Sequence, residues 1–135
     1  METIFFRLTN EMRLNPGVND SQLKTLSLSL THPLPDDFIS FMKFSNGAIG
    51  MMGINYLEIV KAEELIPFNR DYSVESDAPG LFIFGTDGGG EAYGFDFREQ
   101  DPVVVEVPFI GMDWEVAIRK GDNFLDFLQK LKMEK

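Results

Sequence analysis

Cysteine is absent, and histidine occurs once, as His32. The first absence excludes a disulfide framework, a thiol nucleophile and a cysteine-ligated zinc site. The second excludes catalysis or metal binding by a histidine cluster. Long hydrophobic runs are missing too. The N-terminus offers only Ile4-Phe5-Phe6 before Arg7, Asn10 and Glu11, which reads as neither a secretory signal nor a membrane span. A cytoplasmic protein is the expectation. Positive charge is scarce: 12 Lys plus Arg stand against 22 Asp plus Glu, a net charge of −10. Such a chain repels phosphate backbones and anionic membranes. Nucleic acid and membrane are therefore poor partners, and a basic protein is an attractive one.

What is present fits one globular domain over residues 1–135. The chain has 135 residues, 44% of them hydrophobic and 25% charged, which argues against disorder or a coiled-coil rod. Phe supplies 13 of the 17 aromatics, and Phe fills a core without polar atoms to satisfy. Phe5, Leu8 and Met12 share a face of a helix expected near 3–14. Asn15-Pro16-Gly17 breaks it. Asp20 or Ser21 can cap a second helix carrying Leu23, Leu26 and Leu30. A third starts at Pro35, with Asp36 and Asp37 at its positive end and Phe38, Phe41 and Met42 facing inward. Asn46-Gly47 stops it.

Beyond residue 48 the period changes. Strands are expected at 56–60, 81–84, 92–97, 102–107 and 113–119, with a short helix at 62–68. Gly121-Asp122-Asn123 caps a closing helix with Phe124, Phe127, Leu128 and Leu131 on one stripe. The result is an α+β fold. Its mostly antiparallel sheet of about five to six strands is packed by N-terminal helices and a C-terminal helix.

No chemistry stands out. Gly85-Thr86-Asp87-Gly88-Gly89-Gly90-Glu91 could cradle an anion with its amides, but it lacks a Gly-Lys-Ser/Thr ending and leads into a strand. Asp87 and Glu91 do not have EF-hand spacing. The loop reads as a hairpin connection. Glu91 and Asp96 fall on opposite faces of a regular strand. Asp36-Asp37 and Glu63-Glu64 are explained as helix starts. His32, before Pro33, reads as a surface turn residue. Trp114 reads as a packing residue of the sheet ahead of an interface anchor. Met51-Met52 reads as buried gap filling; exposed, it would be an adaptable contact surface. No catalytic residue, cofactor or metal is assigned.

The order of these motifs resembles the SUKH superfamily. Leu34-Pro35-Asp36-Asp37-Phe38, Phe41-Met42 and Ser45-Asn46-Gly47-Ala48 are similar to its opening helix. Tyr56-Leu57 and Glu64-Leu65 follow. Pro79 to Asp96, with Gly85, Gly88, Gly89 and Gly90, is similar to its central strand-loop-strand signature, and Asn123 to Leu128 to its closing helix. The Trp usual in the family's first helices is absent. The resemblance covers about residues 34–131. It implies an α+β binding protein without a catalytic centre, most often a bacterial immunity protein that neutralises a cognate toxin, such as a nuclease. A fungal branch regulates cell-wall synthesis, so a regulatory scaffold for an endogenous partner is the alternative. A ligand-binding enzyme using the glycine loop is a weaker one.

Charge locates a candidate surface. Residues 58–101 carry 3 basic and 11 acidic groups, a net of −8, whereas the segments on either side carry −1 each. A partner-facing acidic surface is expected from Glu63, Glu64, Asp71, Glu75, Asp77, Asp87, Glu91, Glu99 and Asp101, facing a basic toxin domain.

Overall fold

Phenylalanine organises the interior. Phe5, Phe38, Phe41, Phe84, Phe95, Phe124 and Phe127 are all fully buried. They come from three helices and two strands, and their rings meet at one centre. Phe38 lies 5.5 Å from Phe84, 5.3 Å from Phe95 and 5.0 Å from Phe124, mostly edge to face.

The computed structural model describes residues 2–135. In chain order the elements are α1 (Glu2–Leu8), β1 (Met12–Leu14), α2 (Asp20–Leu28), α3 (Asp36–Phe44), β2 (Ala48–Met52), β3 (Asn55–Ile59), α4 (Ala62–Asp71), α5 (Val74–Asp77), β4 (Leu81–Thr86), β5 (Glu91–Asp96), β6 (Val103–Pro108), a 3₁₀ turn (Trp114–Val116), β7 (Ile118–Gly121) and α6 (Phe124–Met133). The strands form one seven-stranded sheet in sequence order, each antiparallel to the next. The fold is α+β, as the sequence predicts, with seven strands where five to six were expected.

The two unforeseen strands are β1 and β2. The helix expected over 3–14 ends at Leu8. There Thr9 turns its hydroxyl back to the Phe5 carbonyl at 2.7 Å, and Met12–Leu14 pairs with β2 instead. Gly50 and Gly53 resemble chain breakers, yet Gly50 lies inside a strand. A Cβ there would stand 2.7 Å from the Cα of Met12, so glycine is what lets β1 approach. The pleat of β2 splits the methionine pair: Met52 is buried and Met51 is 37% exposed.

Smaller differences have local causes. Asn19, one residue earlier than expected, caps α2 in a reciprocal box with Gln22. Residues 113–117 form a 3₁₀ turn and not a strand, because the Asp113 carboxylate accepts from the Glu115 amide. Helix α4 extends to Asp71, and α5 follows it.

The phenylalanine cluster fills one side of the sheet under α1, α3 and α6. On the other side Val74, Ala78, Leu81, Ile83, Ala92, Val105, Val107 and Met112 form a smaller cluster over β4–β6. The Asn46 side chain links α3 to α4. Its carbonyl accepts from the Ala62 amide at 2.7 Å, and its amide donates to Glu63 at 2.9 Å. That bond holds the Glu63 carboxyl below its ordinary range.

Candidate functional site

The glycine loop is the first place to test for chemistry, and its amides at Asp87, Gly88, Gly89 and Glu91 are already used. The Asp87 carboxylate accepts from the amides of Gly89 (2.8 Å) and Glu91 (3.1 Å). The Thr86 hydroxyl accepts from Gly88 and donates to the Glu91 carbonyl. An acidic side chain thus occupies the position that a bound anion would take. Gly88 has a second reason to be glycine beside its φ of +77°. A Cβ there would meet the Tyr56 ring at 2.5 Å, so the loop is laid flat against that aromatic.

The acidic residues separate into groups. Strands β4 and β5 are six residues each, about 20 Å long. Asp87 and Glu91 stand at the hairpin end. Glu99 and Asp101 occupy the turn after β5, at the far end. Glu75 lies at that far end too, accepting from the Gly80 amide at 3.3 Å, and Asp77 follows it on α5. Glu63 and Glu64 open α4, and Asp71 closes it beside Arg70. The segment that is contiguous in sequence is therefore brought to two ends of the sheet and along α4.

The far end is bound up with itself. The Arg98 guanidinium forks onto Asp96 at 2.9–3.0 Å and lies 3.6 Å over the Trp114 ring. Trp114 in turn donates its indole N–H to the Pro79 carbonyl at 2.8 Å. Trp114 is half-buried, in keeping with a packing role. His32 is exposed and stacks on Phe97 with ring centres 4.8 Å apart. It forms one wall of a cleft of about 570 Å³ between the α2–α3 connection and α4–α5. The Asn69 amide in that cleft is already committed to the backbone of Leu65 and Ile83. Among the described residues no group of three or more His, Asp or Glu side chains is placed to hold a metal ion.

The hairpin end is different. Tyr93 is buried beneath it, and its phenol is raised by burial first and then by Glu106, Asp87, Glu134 and Glu91. Lys120 is the cation in this group, 4.0 Å from Glu106 and 3.5 Å from Glu134. Burial pushes the Glu106 carboxyl upward, Lys120 partly offsets this, and Glu91, Asp87 and Glu134 add to it. A carboxyl raised in the folded state favours folding at acid pH and loses that contribution as pH rises through its folded pKa. Glu106→Gln should therefore raise the melting temperature at pH 7 by about a degree or two and leave it nearly unchanged near pH 4. Thermal melts at the two pH values check this.

Next to the hairpin end, half of one sheet face has no helix over it. Ile49, Met51 and Tyr56 are 42%, 37% and 38% exposed there, while their strand neighbours Ala48, Met52 and Leu57 on the opposite side are buried. Met51 pairs directly with Tyr56, and Ile49 with Glu58. Glu58 and Asp87 flank the Tyr56 ring in one shallow depression. Sequence reasoning missed this grouping. The signal that could have revealed it is the alternation of β2, which Gly50 interrupts.

The fold is a seven-stranded antiparallel meander with helices on both sides, and its glycine hairpin is held by its own Thr86 and Asp87 side chains. The SMI1 / KNR4 family (SUKH-1) model matches residues 17–130, and the chain belongs to that family. The family is associated with immunity and with protein–protein interaction. No individual curated protein matches the chain. No helix among the described residues is long and apolar enough to cross a membrane.

Proposed function

We propose that this protein is a non-catalytic cytoplasmic immunity protein that neutralises a cognate toxin domain by binding it directly. The observation that carries the reading is the family membership joined to a local excess of carboxylates. A toxin that cuts nucleic acid must hold phosphates in a basic groove. An acidic protein competes for that groove and is steered toward it from solution. Carboxylates that could otherwise act as acids or bases are engaged in holding the fold: Asp87 in its loop, Asp96 on Arg98 and Glu63 on Asn46.

The test is co-expression with the product of the neighbouring open reading frame. The two should co-purify, and cells making both should survive conditions under which the neighbour alone kills. A neighbour that kills with or without this protein, and does not co-purify, overturns the reading. A complex without protection would keep the binding module and remove the immunity role.

A further inference from the structure

We propose that the uncovered half of the sheet, centred on Tyr56 and Met51, is where the basic partner domain seats. This rests on the binding role above and adds the surface that performs it.

Three independent observations converge there. The first is apolar exposure in register. Ile49, Met51 and Tyr56 lie side by side on β2 and β3, on the face away from the phenylalanine core. Phe6 on α1, Leu28 at the end of α2 and Ile110 in the β6–β7 connection are also exposed, but none of them stands in a strand pair. A paired row on a rigid sheet offers contact area with little ordering cost on association.

The second is the fixed aromatic. Tyr56 has Gly88 pressed against its ring, with no room for even a methyl group between them. One edge of the ring is thus fixed by the loop while 38% of the residue faces solvent. A preorganised Tyr beside a methionine has the chemistry of an interface anchor: large area, a polar tip and an adaptable neighbour.

The third is charge. Glu58 and Asp87 border the ring. Glu106 and Glu134, which with Glu91 raise the Tyr93 phenol, lie with Tyr93 on the α6 side of the sheet, so the rim of this face is Glu58 and Asp87. The cations nearby are Arg13, exposed on β1 in the Ile49 row, and Lys120, already paired with Glu106 and Glu134. An apolar centre with a carboxylate rim complements a basic surface and disfavours an acidic one, including a second copy of this chain. An interface of ordinary size would cover roughly 800 Å² on this side. That is about a tenth of the 7519 Å² surface and is centred on this row.

The test uses the full chain and the purified product of the neighbouring reading frame, with affinity measured by calorimetry. Tyr56→Ser should weaken binding by about 100-fold, as loss of an anchor does. Met51→Lys, at an exposed strand position that leaves the Gly88 contact intact, should weaken it at least about tenfold. Ile110→Ser, an equally apolar change elsewhere, should leave affinity unchanged. If the wild type binds and Met51→Lys and Tyr56→Ser bind equally well, the surface lies elsewhere and this inference falls while the immunity role stands. If the wild type does not bind at all, the role and the surface both fall. If the wild type sediments as a dimer that Met51→Lys dissociates, the face belongs to a second copy and the proposal is wrong.

Discussion

Phe38→Ala is expected to cost about 3–5 kcal/mol, a large share of the stability of a domain this size. Phe38 has no exposed surface and stands against Phe84, Phe95 and Phe124. It therefore joins α3 to β4, β5 and α6. Those neighbours are themselves rigid aromatics, so they cannot collapse into the space a truncation leaves. This places the expected loss in the upper part of the range for large-to-small changes. Urea unfolding should show a lower midpoint at unchanged slope, and the melting temperature should fall by about 10–20 °C. Phe6→Ala is the control: that side chain is 69% exposed, and the change should be nearly silent.

Asn69→Ala should cost about 2–3 kcal/mol by another route, the loss of partners for buried backbone. Strand β3 pairs with β4 at Glu58–Thr86 and Ile59–Gly85, and the Val60 amide adds one more bond, to the Phe84 carbonyl. Where β3 leaves, the Asn69 side chain takes over. It accepts from the Ile83 amide at 2.7 Å and donates to the Ile83 carbonyl at 2.9 Å. A third bond reaches the Leu65 carbonyl in its own helix. One carboxamide thereby does locally what a neighbouring strand would do. Ile83 itself is fully buried, so water cannot easily replace the lost bonds. Asn69→Asp should be no better than alanine, because a carboxylate cannot donate to the Ile83 carbonyl. Hydrogen exchange at the Ile83 amide is the local readout. It should speed up in Asn69→Ala by more than global unfolding accounts for.

Much of this architecture is legible in the residues, and the exceptions have physical reasons. Helices α3 and α6 announce themselves through Phe38-Phe41-Met42 and Phe124-Phe127-Leu128-Leu131, because both have one apolar stripe and a clear start. The β4–β5 hairpin is legible from its glycines and the alternation of Tyr93, Phe95 and Phe97. Strand β1 is not, since three residues cannot show a period, and Met12 falls by coincidence at a helical spacing from Phe5 and Leu8. Strand β2 is hidden by Gly50, whose role depends on a partner strand distant in sequence. Asn69 was invisible because a polar residue in a short helix gives no hint that it completes a sheet.

The charge shows the limit most clearly. Residues 58–101 look like one acidic face because they are contiguous. Antiparallel strands return the chain end to end, so neighbours such as Glu91 and Glu99 are carried about a strand length apart. What the residues could not show is that Glu58 and Asp87, beside the hairpin, border an exposed apolar row, which is where the partner is proposed to sit.

Association rate against ionic strength, compared between charge changes at the two ends, tests this most directly. The probe is the product of the neighbouring reading frame. The wild type should associate at least about tenfold more slowly at 0.5 M salt than at 0.05 M. Glu58→Lys with Asp87→Asn, whose Oδ1 still accepts from the Gly89 and Glu91 amides, should slow association at low salt and flatten that dependence, while Glu99→Lys with Asp101→Lys should do much less. A flat wild-type profile, or a larger effect from the Glu99 and Asp101 pair, would contradict a partner seated at the hairpin end.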